Sequence, residues 1–123
     1  MVIEVLEGSF SVCQVEDFSV TDSRREFCFT GKTDEECSLV CKTEEVPEQV
    51  IRREDGWRAF RLQGKLDFSL IGILAKITTL LAEHEIAVFV VSTFRTDYIL
   101  VKDENYERAR EVLQRGGYRI VEL

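Results

Sequence analysis

The chain has 123 residues, 45% of them hydrophobic and 32% charged, with a formal net charge of −7. Its length suggests one compact body or two small ones, and its composition is that of a globular rather than a disordered chain. The acidic balance argues against a sequence-independent binder of phosphate backbones, which needs a basic surface. No apolar run reaches the roughly 18–20 residues that span a bilayer.

The N-terminal MVIEVLEGSF lacks the basic and long apolar segments of a secretory signal, so the cytoplasm is the expected compartment. Val2 to Leu6 alternates as a strand does, Glu7-Gly8 reads as a turn, and Phe10 to Val15 alternates again. Glu16 to Arg25 is polar and has room for one short helical turn. Phe27-Cys28-Phe29 reads as a strand, Gly31 to Asp34 as a turn, and Cys37 to Lys42 as another strand. Thr43 to Gly56 is charged, holds the single proline, Pro47, and reads as a short helical or irregular connection with a possible strand near Val50-Ile51. Strands without a long helix cannot bury both faces of a sheet, so this half is expected to pack on the second.

The four cysteines, Cys13, Cys28, Cys37 and Cys41, all fall in strand-like runs. Cys37 and Cys41 have a spacing that suits zinc on a turn, but on a strand residues four apart lie about 13 Å from each other. Reduced thiols in a cytosolic core are the expectation, with no metal and no cofactor.

The second half is more strongly marked. Trp57 to Leu62 reads as a strand, with Phe60 and Leu62 on one face and Trp57, Ala59 and Arg61 on the other. Leu70, Ile73, Leu74, Ile77, Leu80 and Leu81 recur at three- and four-residue steps and predict an amphipathic core helix. Ser69 or Asp67 can cap its start. A turn at His84-Glu85 leads into a strand from Ile86 to Val91. The polar loop Ser92 to Asp97 then leads into another strand from Tyr98 to Lys102. A second helix, Glu104 to Arg115, carries Tyr106, Ala109, Val112 and Leu113 on one side, with Asp103 as a possible cap and Gly116-Gly117 at its end. Tyr118 to Glu122 closes the chain as a strand. The order from Trp57 is β-α-β-β-α-β, a ferredoxin-like arrangement with both helices on one face of a four-stranded antiparallel sheet.

LDFSLIGILAKI and STFRTDYILV, set in that order of elements, resemble the ACT domain, a small regulatory module of amino-acid metabolism. The likeness is to small bacterial tandem-ACT proteins related to the regulatory ACT domains of aspartate kinases and to the cytosolic arginine sensors of animals. SFSVCQV, EFCFTGKTDEECSLVC and REDGWRAFRLQG resemble the degenerate first unit of that family and its junction. The resemblance implies an α+β protein of tandem ferredoxin-like units, with antiparallel sheets and helices on one face. Residues 1–55 would form a degenerate ACT-like unit and 56–123 the ACT domain.

It further implies a non-catalytic module that binds a small ligand, an amino acid by preference, at an interface between ACT units. By position, the helix-head residues are Asp67, Ser69, Leu70, Ile71, Gly72 and Ile73, and the hairpin residues are Thr93, Phe94 and Asp97. A helix N-terminus offers unpaired N–H groups to a carboxylate, and Asp97 offers a counter-charge to an ammonium. Relatives that bind arginine carry an acidic residue where this chain has Leu70, which favours an apolar amino acid over arginine. Plainer roles exist for the same residues. Asp67 and Ser69 suit helix caps, Asp97 a turn aspartate, and Gly72 close packing of helix on sheet. The alternative function is a protein–protein interaction or dimerisation module with a vestigial ligand site, and a homodimer fits either reading. An acylphosphatase-like hydrolase needs an anion-cradling loop with a positioned arginine and asparagine. The loop here is the acidic Asp67-Phe68-Ser69, so no enzyme activity is expected.

Overall fold

A computed structural model describes residues 1–63 and 72–123. The chain forms two compact units, one of Met1–Glu7 with Arg58–Leu123 and one of Gly8–Trp57. The expected division at residue 55 therefore lies close to the chain crossing, but the first seven residues group with the C-terminal unit and not with the N-terminal one.

In the larger unit the aliphatic stripe folds as expected. Helix α1 spans Ile73–Glu83 and buries Ile77 and Leu81, and α2 spans Tyr106–Arg115 and buries Tyr106, Ala109, Val112 and Leu113. These side chains meet Ile3, Val5, Phe60, Leu62, Ile99 and Val101 from the strands in a single apolar core, so both helices lie on one face of the sheet. The strands are β1 (Val2–Val5), the C-terminal part of β5 (Arg52–Leu62), β6 (Val88–Ser92), β7 (Asp97–Lys102) and β8 (Arg119–Glu122).

Their order, β6-β7-β5-β1-β8, corrects the expected four-stranded antiparallel sheet. β1 lies between the first and last strands of the β-α-β-β-α-β run. It pairs antiparallel with β5 (Ile3 opposite Leu62) and parallel with β8 (Ile3 opposite Ile120). Ile3 and Val5 supply apolar side chains to the core at that place, which is why residues 1–7 belong to this unit.

Both helix starts differ from expectation, and the end of α2 at Gly116-Gly117 does not; α1 has Gly72 at its N-cap where Ser69 or Asp67 was expected. Asp103 does not cap α2. It sits in a 3₁₀ turn, Asp103–Asn105, with its carboxylate 3.8 Å from the Arg58 guanidinium, which in turn lies over the Tyr106 ring. At the C-terminus, Gly117 takes the left-handed conformation, and Gly116 answers to packing. A methyl group on Gly116 would lie 2.5 Å from Leu80 Cδ2.

The smaller unit is built on β2 (Phe10–Val15), β3 (Phe29–Lys32), β4 (Cys37–Lys42) and the N-terminal part of β5. β4 pairs antiparallel with both β2 and β3, and β2 pairs antiparallel with β5. β3 starts two residues later than the expected Phe27 because Phe27 has φ 55, outside the strand region, and it runs on through Gly31 and Lys32. β5 starts at Arg52, well before the expected Trp57, and carries RREDG as an exposed, charged strand segment. One buried cluster of this unit is sulfur-rich: Cys13, Val15, Leu39 and Cys41, with Cys28 and Cys37 half-buried against them. Buried Ser11 is satisfied, since its Oγ donates to Asp55 Oδ1 at 2.5 Å and bonds Thr43 Oγ1 at 2.8 Å.

Candidate functional site

Of the nine residues singled out from the sequence, Asp67, Ser69, Leu70 and Ile71 lie outside the described residues. The other five fall in two places. Gly72 and Ile73 open α1, while Thr93, Phe94 and Asp97 belong to the β6–β7 hairpin.

Gly72 is the N-cap of α1, with φ 79 and ψ 9. That backbone favours glycine, and among the described residues no atom lies within 4 Å of where a Cβ would stand. The glycine therefore serves conformation, and no described side chain packs against it. A glycine cap also brings no side chain of its own to the N–H groups of the first turn.

The hairpin is a tightly bonded loop. Thr93 N and Thr93 Oγ1 each donate to the Thr96 carbonyl at 2.9 Å, and Ser92 Oγ donates to Asp97 Oδ1 at 2.6 Å. Half-buried Asp97 is thus held at the mouth of the hairpin, in register with Ser92. Phe94 at the tip is 74% exposed. The residue that anchors the loop is one that sequence reasoning missed. Thr96 is 7% exposed and donates from Oγ1 to the Leu62 carbonyl, at the end of β5, at 2.8 Å. A lone threonine in a polar loop carries no sequence signal for such a bond, because its partner lies far away along the chain.

A cleft of about 350 Å³ adjoins this hairpin, lined by Glu4, Arg61, Leu62, Gln63, Arg95, Thr96 and Tyr98. None of Gly72, Ile73, Thr93, Phe94 or Asp97 lines it. Arg61 Nε donates to Glu4 Oε1 at 2.9 Å. That bond, together with a bond to Tyr98, holds the guanidinium pKa above its ordinary value.

Burial keeps three of the thiols protonated. Burial pushes Cys41 up to about 12, aided by the neighbouring Cys13 and Cys28, and burial likewise raises Cys13 and Cys28. All four cysteines are free, and Cys28 does not lie in a strand as expected. Among the described residues no group of three or more His, Cys, Asp or Glu is placed to hold a metal ion. No helix among them is long and apolar enough to cross a membrane.

A helix-covered, largely antiparallel sheet with a glycine-capped helix and a short polar hairpin defines a ferredoxin-like α+β protein. The ACT domain family matches residues 52–115, and the chain belongs to that family, whose members are regulatory small-ligand-binding modules.

Solved structures agree. A protein of Agobacterium tumefaciens is 29% identical, with a TM-score of 0.87, over 98% of this chain and 92% of its own. A Vibrio cholerae protein described as of unknown function and a possible transport protein is 23% identical, with a TM-score of 0.73, over 93% of this chain and 88% of its own. The aspartate kinase of Clostridium acetobutylicum, an allosteric enzyme, shares the fold at 13% identity and a TM-score of 0.62, over 84% of this chain and 32% of its own. No curated protein matches the chain.

Proposed function

We propose that the protein is a non-catalytic regulatory module that binds an amino acid at an interface between ACT units and works in the cytoplasm as a homodimer. In this reading the N–H groups at the head of α1, around Asp67, Ser69, Leu70, Ile71, Gly72 and Ile73, take the α-carboxylate. Asp97 takes the α-ammonium, with Thr93 and the Phe94 backbone as polar contacts. The unit of Gly8–Trp57 acts as the degenerate partner of the ACT domain, in place of the expected division into 1–55 and 56–123.

The observation that carries the reading is Gly72. Its positive φ and the lack of any described atom within 4 Å of a Cβ here support an approachable helix head, and its lack of a side chain leaves that head without a cap from this position. The hairpin supports it, because Ser92 fixes the Asp97 carboxylate instead of letting it sweep through solvent. With Leu70 at the helix head, the ligand of choice has an apolar side chain.

Calorimetric titration with each of the common amino acids tests this. Binding of an apolar amino acid, weakened in Asp97→Ala, supports the reading, and silence from all of them removes it. One observation favours the second reading, an interaction module with a vestigial site: Phe94 exposes a large apolar ring at the hairpin tip. A chain that binds no amino acid and whose self-association is lost in Phe94→Ser would support that alternative.

A further inference from the structure

We propose that the cleft beneath the β6–β7 hairpin is a second binding site, specific for a small monocarboxylate, with Arg95 as its clamp. It lies on the other side of the sheet from the helices. Arg61 alternates with the core residues Phe60 and Leu62, Glu4 lies between Ile3 and Val5, and Tyr98 precedes Ile99. Neighbouring side chains on a strand point to opposite faces, so Glu4, Arg61 and Tyr98 face away from α1 and α2. The helix-head site proposed above belongs to the helix side, and the two sites stand or fall separately.

The charges decide the class of ligand. Glu4 and Arg61 neutralise each other across 2.9 Å, and both are largely buried, which makes a fixed polar wall. Arg95 is exposed at the rim and has no ion-pair partner among the described residues. Among the described residues the cleft thus has one uncompensated positive charge, carried on a planar fork of donors suited to a carboxylate. A single positive charge matches a singly charged carboxylate better than a phosphate dianion in a chain of net charge −7. The Gln63 amide supplies a neutral hydrogen-bonding group for a hydroxyl or amide on the same ligand. At about 350 Å³ the cleft is near the lower end of small-molecule sites, which run from roughly 300 to 1,000 Å³. It therefore fits a metabolite of a few carbons and excludes a nucleotide or a peptide.

The test is a two-dimensional NMR titration of the whole chain with sodium lactate, against sodium phosphate and sodium chloride at matched ionic strength. The expected result is saturable lactate shifts centred on Gln63, Arg95, Thr96 and Tyr98. Affinity should fall at least tenfold in Arg95→Ala and stay unchanged in Arg24→Ala, which removes an equal charge from the other unit. The proposal is overturned by no saturation at tens of millimolar lactate, by unchanged affinity in Arg95→Ala, by equal weakening in Arg24→Ala, or by phosphate binding as well as lactate. Because amino-acid binding is read at Asp97, its loss or survival does not move this result.

Discussion

The two units of this chain solve the same problem in different ways. The unit of Met1–Glu7 with Arg58–Leu123 covers one sheet face with two amphipathic helices and closes on a large aliphatic core. The unit of Gly8–Trp57 has strands and one 3₁₀ turn and, among its described residues, no α-helix to cover them, and its buried residues, from Phe10 to Trp57, include two cysteines. The difference teaches where ligand-facing apparatus can be placed. A glycine-capped helix head and a bonded hairpin require a rigid core beneath them, and the larger unit has that core.

The comparison breaks most visibly at the cores. Leu81→Ala, at a position with no exposure in the larger unit, should cost about 2–5 kcal/mol in urea unfolding. Cys41→Ala in the smaller unit removes one sulfur and should cost about 1 kcal/mol. Equal losses would mean that the smaller core bears as much load as the larger.

The glycines at the helix ends sharpen the comparison. Gly116→Ala drives a methyl into Leu80 and should destabilise by about 1–3 kcal/mol. Gly72→Ala meets no neighbour among the described residues and should cost about 1–2 kcal/mol through backbone strain alone. Thermal melts of the pair measure both, and Gly72→Ala with no loss would mean that φ 79 is not needed.

Both the successes and the failures of sequence reading have physical causes. The stripe from Ile73 to Leu81 and the buried side of α2 were legible because helical period is a local property. The charged start of β5 was not, since RREDG shows no apolar alternation and is held in the strand by pairing to β2, with Gln14 opposite Arg52 and Val12 opposite Glu54. The insertion of β1 between β5 and β8 was hidden for the same reason. Ile3 meets Leu62 and Ile120, pairings that no window of sequence contains. At the candidate site, Gly72 and Asp97 could be read from position, but the role of Thr96 depends on a distant carbonyl, and the cleft at Arg61 depends on the residue opposite it, Glu4.

A smaller effect concerns pH in the cysteine-bearing unit. The folded chain holds Cys41 protonated up to about 12, whereas an unfolded thiol ionises near 9.0. Between those values the folded state binds more protons, so this stabilisation is complete below pH 9 and is lost as pH rises toward 12. Unfolding midpoints taken across that window should fall less steeply in Cys41→Ala than in the parent. Parallel slopes would mean that burial does not hold the thiol neutral.

The central claim is amino-acid sensing at the helix head and hairpin, and calorimetry on the parent chain and Asp97→Ala tests it most directly. The account expects one or more apolar amino acids to bind the parent and to bind the variant at least tenfold more weakly. Binding of equal strength in both proteins, or in neither, would contradict it.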